Sequence, residues 1–116
     1  MQPHEFWQEL HAPGSFDEAG PFSGFFPARL DSGDQIRLPI RPLSDGQHAL
    51  ASLIINQASF DVQDALAAVL APKIAALRPE VIVGLPTLGL TLAAAVARML
   101  GFARLRTARN IEEVLV

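Results

Sequence analysis

The sequence contains no cysteine. That absence excludes a disulfide framework, thiolate metal sites and a thiol nucleophile together. Positive charge is also in short supply. Nine lysines and arginines stand against twelve aspartates and glutamates, giving a formal net charge of −3 and a pI near 5.5. A broad nucleic-acid footprint needs a basic face, so no nucleic-acid partner is expected. Charge of either sign makes up only 18% of the 116 residues, whereas 50% are hydrophobic. A disordered chain shows the opposite balance, and a packed core is therefore expected. The opening MQPHEFWQEL carries acidic residues and no long apolar stretch, unlike a secretory leader, so the expected compartment is the cytoplasm.

Charge disappears altogether between Val81 and Ala97, a run of 17 residues. This is the lower edge of membrane-span length. Gly84, Pro86, Thr87, Gly89 and Thr91 interrupt the run, Glu80 and Arg98 close it, and no aromatic belt flanks it. A buried strand, a tight loop and a buried helix account for it better than a span does, and no membrane partner is expected.

Composition changes near residue 48. Six of the nine prolines and five of the eight glycines precede it, and most of the alanine and leucine follows. Two parts are expected, an N-terminal segment over 1–48 and a core over 49–116. HEFWQELH, residues 4–11, reads as a short amphipathic helix with Phe6, Trp7 and Leu10 on one side; the two aromatics are expected in core or lid packing. Residues 12–24 read as loop. FFPARL, a Ser32-Gly33-Asp34 turn and QIRLPI predict a β-hairpin with strands near 25–30 and 35–40, and Pro27 and Pro39 place both at edges. Residues 49–57 fit a short helix or a strand. Between 59 and 77, Val62, Leu66, Val69, Leu70, Ile74 and Leu77 fall on one helical face, with Ser59 or Asn56 as cap. Pro72 predicts a kink or restart in that helix, and Arg78-Pro79 its end. EVIVGL then reads as a buried parallel strand, PTLG as a tight loop, LTLAAAVARML as a helix capped by Gly101, and ARLRT as a second strand. That order predicts a βαβ unit with a parallel sheet, hence an α/β fold.

The chemistry concentrates where the first of these strands turns into its helix. Amide groups at a helix start lack intrahelical partners and lie at the positive end of the dipole, so a phosphate or pyrophosphate is the natural ligand, although a plain tight turn has the same sequence. Gly89 admits the anion to the backbone, and Thr87 or Thr91 either adds a hydroxyl or caps the helix. No Gly-Lys-Ser/Thr follows, the three-glycine dinucleotide spacing is absent, and no serine sits between glycines as in a nucleophile elbow.

The segment VIVGLPTLGLTLAAAVARMLG resembles the first strand, pyrophosphate loop and following helix of type I phosphoribosyltransferases. HALASLIINQASFDV is similar to a bacterial subgroup of adenine or other purine phosphoribosyltransferase-like proteins. The resemblance runs over residues 1–104 and is strongest from 48 to 101. It implies a partial phosphoribosyltransferase-type, Rossmann-like parallel sheet with an N-terminal hairpin or hood near the base. It implies Mg²⁺-dependent transfer of phosphoribosyl from phosphoribosyl pyrophosphate (PRPP) to a nitrogenous, purine-type base with release of pyrophosphate. Pro86, Thr87, Leu88, Gly89 and Leu90 match the pyrophosphate loop, with Thr91 beside it. In the family an adjacent acidic pair after a hydrophobic strand binds the ribose, and a loop beyond it cradles the 5′-phosphate. Glu112-Glu113 is the only adjacent acidic pair near the end, preceded by Arg109-Asn110-Ile111 rather than an apolar run, and reads as a solvated tail. The PRPP motif is missing, which implies a truncated form without activity of its own.

Other polar residues read as structural. His4, His11 and His48 lack metal-ligand spacing, so no side-chain metal site is expected. Asp61 and Asp64 read as solvated helix positions, and Arg104, Arg106 and Arg109 as a surface cluster able to meet a phosphate. A half-sheet leaves an edge and a helix face uncovered, so a homodimer or another protein partner is expected there. The alternative to a transferase is a non-enzymatic interaction or regulatory module that retains half of the fold.

Overall fold

The computed structural model describes residues 7–109. Its elements are β1 (Phe25–Arg29), β2 (Gln35–Pro42), β3 (Ala49–Ala51), a 3₁₀ turn (Ile55–Gln57), α1 (Phe60–Ala75), β4 (Val83–Gly84), α2 (Leu88–Met99) and β5 (Arg106–Thr107). The fold is mixed α/β: β1, β2 and β3 form an antiparallel sheet, and β4 and β5 a separate parallel pair. Among the described residues no helix is long and apolar enough to cross a membrane. Chain contacts divide at Val62, giving the units Met1–Val62 and Gln63–Val116, whereas composition shifts earlier, near residue 48.

In the first unit the expected hairpin forms, with Phe25 opposite Pro39 and Arg29 opposite Gln35. Its turn is closed by Leu30 N–H donating to Asp34 and Gly33 N–H to Leu30, and Gly33 takes the left-handed φ of 93° that this turn requires. The expectation that both strands lie at edges needs correction for β2, which is central in the order β1-β2-β3. Its prolines are tolerated because the two ladders barely overlap. Residues 35–39 pair with β1 and residues 40–42 with β3, and the ladders meet where Ile40 N–H donates to Gly24 and the Pro39 carbonyl accepts from Ser52 N–H. Pro39, which has no N–H, stands at the handover.

Residues 7–11 are extended, not helical. Gln8 forms a parallel bridge with Ala58, and His11 an antiparallel bridge with Gln35. Backbone pairing to distant segments wins over the local helical spacing, since an isolated helix this short is marginal. Trp7 is 67% exposed rather than packed in a core; His4 and Phe6 lie outside the described residues. The ambiguous stretch 49–57 holds both β3 and the 3₁₀ turn. Gln35 is 1% exposed and ties the 12–24 loop down: its Oε1 accepts from Phe16 N–H and its Nε2 donates to the Phe16 carbonyl.

The β2–β3 connection is an acidic turn. Asp45 Oδ1 accepts from the amides of Gln47 and His48, and Oδ2 bonds His48 Nδ1. These bonds, the His48 one foremost, hold the Asp45 carboxyl below its ordinary value.

Ser59 is the α1 cap, its Oγ accepting from Val62 N–H. The helix runs unbroken to Ala75 through Pro72. The ring is tolerated because Pro72 is exposed, and the carbonyl it deprives of a donor belongs to the exposed Ala68. Arg78 adopts a φ of 51° just before Pro79, past the helix end. Alanine occupies the centre of the buried face. Ala67 and Ala71 are buried, Leu66, Val69, Leu70 and Ile74 are half-buried, and Leu77, beyond the helix end, is 78% exposed. In the second unit Ala67, Ala95 and Val96 form a core with Leu70, Ile74, Leu92 and Leu100 packed on it. The centre of this core is therefore built largely from small side chains.

The α2 helix ends in a Schellman motif. Phe102 N–H donates to Ala97, Gly101 N–H to Arg98, and Gly101 has φ 81°. The β4 and β5 strands pair in parallel, Val83 opposite Arg106 and Gly84 opposite Thr107. The strand expected within EVIVGL is therefore shorter, with Val81 outside it and exposed.

Two outcomes follow. Replacing Gln35 with Ala strands the Phe16 amide and carbonyl, and is expected to destabilise the protein by roughly 2 kcal/mol in urea titration. Asp45 has a lowered folded-state pKa, so its contribution is full above the ordinary carboxylate range and is lost as pH falls through the folded value. Amide exchange at Gln47 and His48 should accelerate in that acidic window, and Asp45→Asn should abolish this pH dependence.

Candidate anion-binding loop

The β4 strand runs straight into the candidate loop, and its last residue decides the geometry. A Cβ on Gly84 would lie 2.9 Å from Ala93 Cβ, 3.1 Å from the Gly89 carbonyl oxygen and 3.3 Å from Leu90 Cα. All three belong to the first turns of α2. Only glycine lets the strand end and the helix start come this close. The result is a short exposed crossing, Leu85-Pro86-Thr87, with the Pro86–Thr87 peptide cis.

The helix begins at Leu88, two residues earlier than the sequence pattern predicts. Of the residues matched to a pyrophosphate loop, Pro86 and Thr87 lie in the crossing. Leu88, Gly89, Leu90 and Thr91 form the first turn of α2. That turn consumes two amides: Gly89 N–H donates to Leu85 and Leu90 N–H to Thr87, at 3.0 and 3.3 Å. Among the described residues, the amides of Thr87 and Leu88 have no hydrogen-bond acceptor. Both residues are exposed, so these donors face solvent at the positive end of α2. Thr87 is the N-cap residue, but its hydroxyl makes no capping bond. A Cβ on Gly89 would meet only ordinary contacts at 3.9 Å, so this glycine, unlike Gly84, is not required by packing.

Parallel pairing puts the carboxyl ends of β4 and β5 side by side. Thr107 lies opposite Gly84, and the chain leaves β5 through Ala108 and Arg109 at the same end of the sheet as the crossing. Ligands of α/β sheets lie at this end. Thr107 was not singled out from sequence; the signal that would have found it is the in-register alignment of ARLRT with EVIVG.

His11 packs edge-on against Phe16 and His48 bonds Asp45, both in the first unit. Asp61 and Asp64 are exposed on α1, as are Arg104 and Arg106 near β5. Glu112-Glu113 lies outside the described residues. Among the described residues, no three His, Asp or Glu side chains gather to hold a metal ion.

The two glycines differ testably. Gly84→Ala forces a contact shorter than real Cβ atoms show and is expected to cost about 2 kcal/mol or more. Gly89→Ala is expected to be neutral or slightly stabilising, because alanine is the better helix former. Thermal unfolding of both variants checks the contrast.

Compared with models of protein families, with curated proteins and with solved structures, the chain matches none.

Proposed function

We propose that the β4–α2 crossing binds the diphosphate of a phosphoribosyl pyrophosphate-type ligand, and that the chain is phosphoribosyltransferase-like in the arrangement of its second unit. The observation that carries this reading is the pair of exposed amides, Thr87 and Leu88, at the start of α2 and at the carboxyl end of a parallel strand. Such donors suit a multiply charged anion, and Gly89 leaves the approach clear of side-chain bulk. Mg²⁺ would arrive with the diphosphate and offset its charge. The family reaction exchanges pyrophosphate for a purine-type base at the anomeric carbon. Catalysis of that kind rests on positioning both phosphate ends. The described residues supply one such end, so the proposal is binding of the diphosphate without turnover by this chain alone.

A second reading has its own support. Leu77, Val81, Leu85, Leu88 and Met99 are all exposed in the second unit. Exposed apolar side chains in this number suit an interaction or regulatory module.

Calorimetric titration with pyrophosphate and with PRPP, each with Mg²⁺, separates the two. The proposal expects both to bind, with affinity reduced at least about tenfold in Gly89→Val, whose side chain crowds the amides. An absence of binding by the folded chain overturns it and leaves the interaction module. Turnover of PRPP with a purine base would overturn the assignment of binding alone.

A further inference from the structure

The core of the second unit opens to solvent on one side. There α1 and α2 leave a cleft of ≈ 160 Å³ lined by Asp64, Ala67, Ala95, Arg98 and Met99. Its floor is small and apolar, with Ala67 and Ala95 both buried. Its rim is charged on both sides, by Asp64 from α1 and Arg98 from α2. Both are exposed, and neither side chain has an ion-pair or hydrogen-bond partner among the described residues. Met99 stands beside them, more than half exposed.

An acid on one wall and a base on the other is a self-complementary arrangement. A two-fold axis lying along the cleft brings Asp64 of each copy opposite Arg98 of the other, so one type of contact is made twice. The alanine floor lets a second pair of helices come close, and methionine adapts its shape to fill the remaining gap. A partner bearing one sign of charge would satisfy only one wall, whereas a second copy satisfies both. We infer that this cleft is the contact surface of a symmetric homodimer. The contact lies on the helical face of the second unit, not along a sheet edge, and it does not depend on whether the β4–α2 crossing binds an anion.

Charge reversal tests the pairing. Sedimentation equilibrium of the full chain over a concentration series should show a monomer–dimer equilibrium. Asp64→Arg and Arg98→Asp each replace two attractions with two like-charge contacts, and each should raise the dimer dissociation constant at least about tenfold. The double variant Asp64→Arg/Arg98→Asp restores opposite charges across the axis and should recover most of the loss. Both sites are exposed, so the variants should keep the circular dichroism of the parent. A parent that stays monomeric throughout overturns the inference. So does a dimer unaffected by either single reversal, or a double variant no stronger than the singles.

Discussion

The second unit depends on one close approach. Gly84 ends β4 under the first two turns of α2, with Ala93, Gly89 and Leu90 packed where a side chain would begin. That contact fixes where α2 starts and confines the crossing to three exposed residues. It also decides which amides are left over. A looser packing would let the helix begin later and free more donors. The tight one spends the amides of Gly89 and Leu90 inside the turn and leaves those of Thr87 and Leu88 outward. The same glycine pairs with Thr107, so one residue couples helix placement, sheet register and the carboxyl end of the parallel pair.

The first unit relies on a different device. Its loop-rich segment is held by backbone pairing over long sequence separations and by one buried amide. Gln35 joins β2 to His11 through its main chain and to Phe16 through its side chain. Phe16 then meets the rings of His11 and Phe25 edge-on, with the Arg37 guanidinium 5.7 Å from the ring centres of Phe16 and Phe25. Segments without periodic structure of their own need such outside partners, because a buried backbone group left unpaired is costly.

Sequence patterns were informative wherever local chemistry decides. The hairpin followed from alternation around a Ser-Gly-Asp turn, and α1 from its apolar spacing and the Ser59 cap. The Gly101 cap and the β4–α2–β5 order followed from strand and helix signals. Patterns misled where distant segments compete. Residues 7–11 have helical spacing, yet Ala58 and Gln35 supply strand partners that a short helix cannot match. Pro39 reads as an edge signal, yet it sits in the middle strand because the two ladders meet there. Ala67 and Ala71, absent from the face marked by apolar spacing, hold the buried centre of α1.

The candidate loop divides along the same line. By itself the sequence determined that a glycine- and proline-marked turn joins a β-branched strand to an alanine-rich helix, because turn, strand and helix preferences are local properties of the residues. Only the tertiary structure decided that Gly84 rather than Gly89 is the sterically required glycine. It also decided that Thr87 and Leu88 keep their amides open and that Thr107 stands opposite Gly84. The presence of Asp64 and Arg98 on one cleft is of the same kind. These are distances between residues far apart in the chain, set by how helices and strands pack, and side-chain spacing along a sequence carries no record of them.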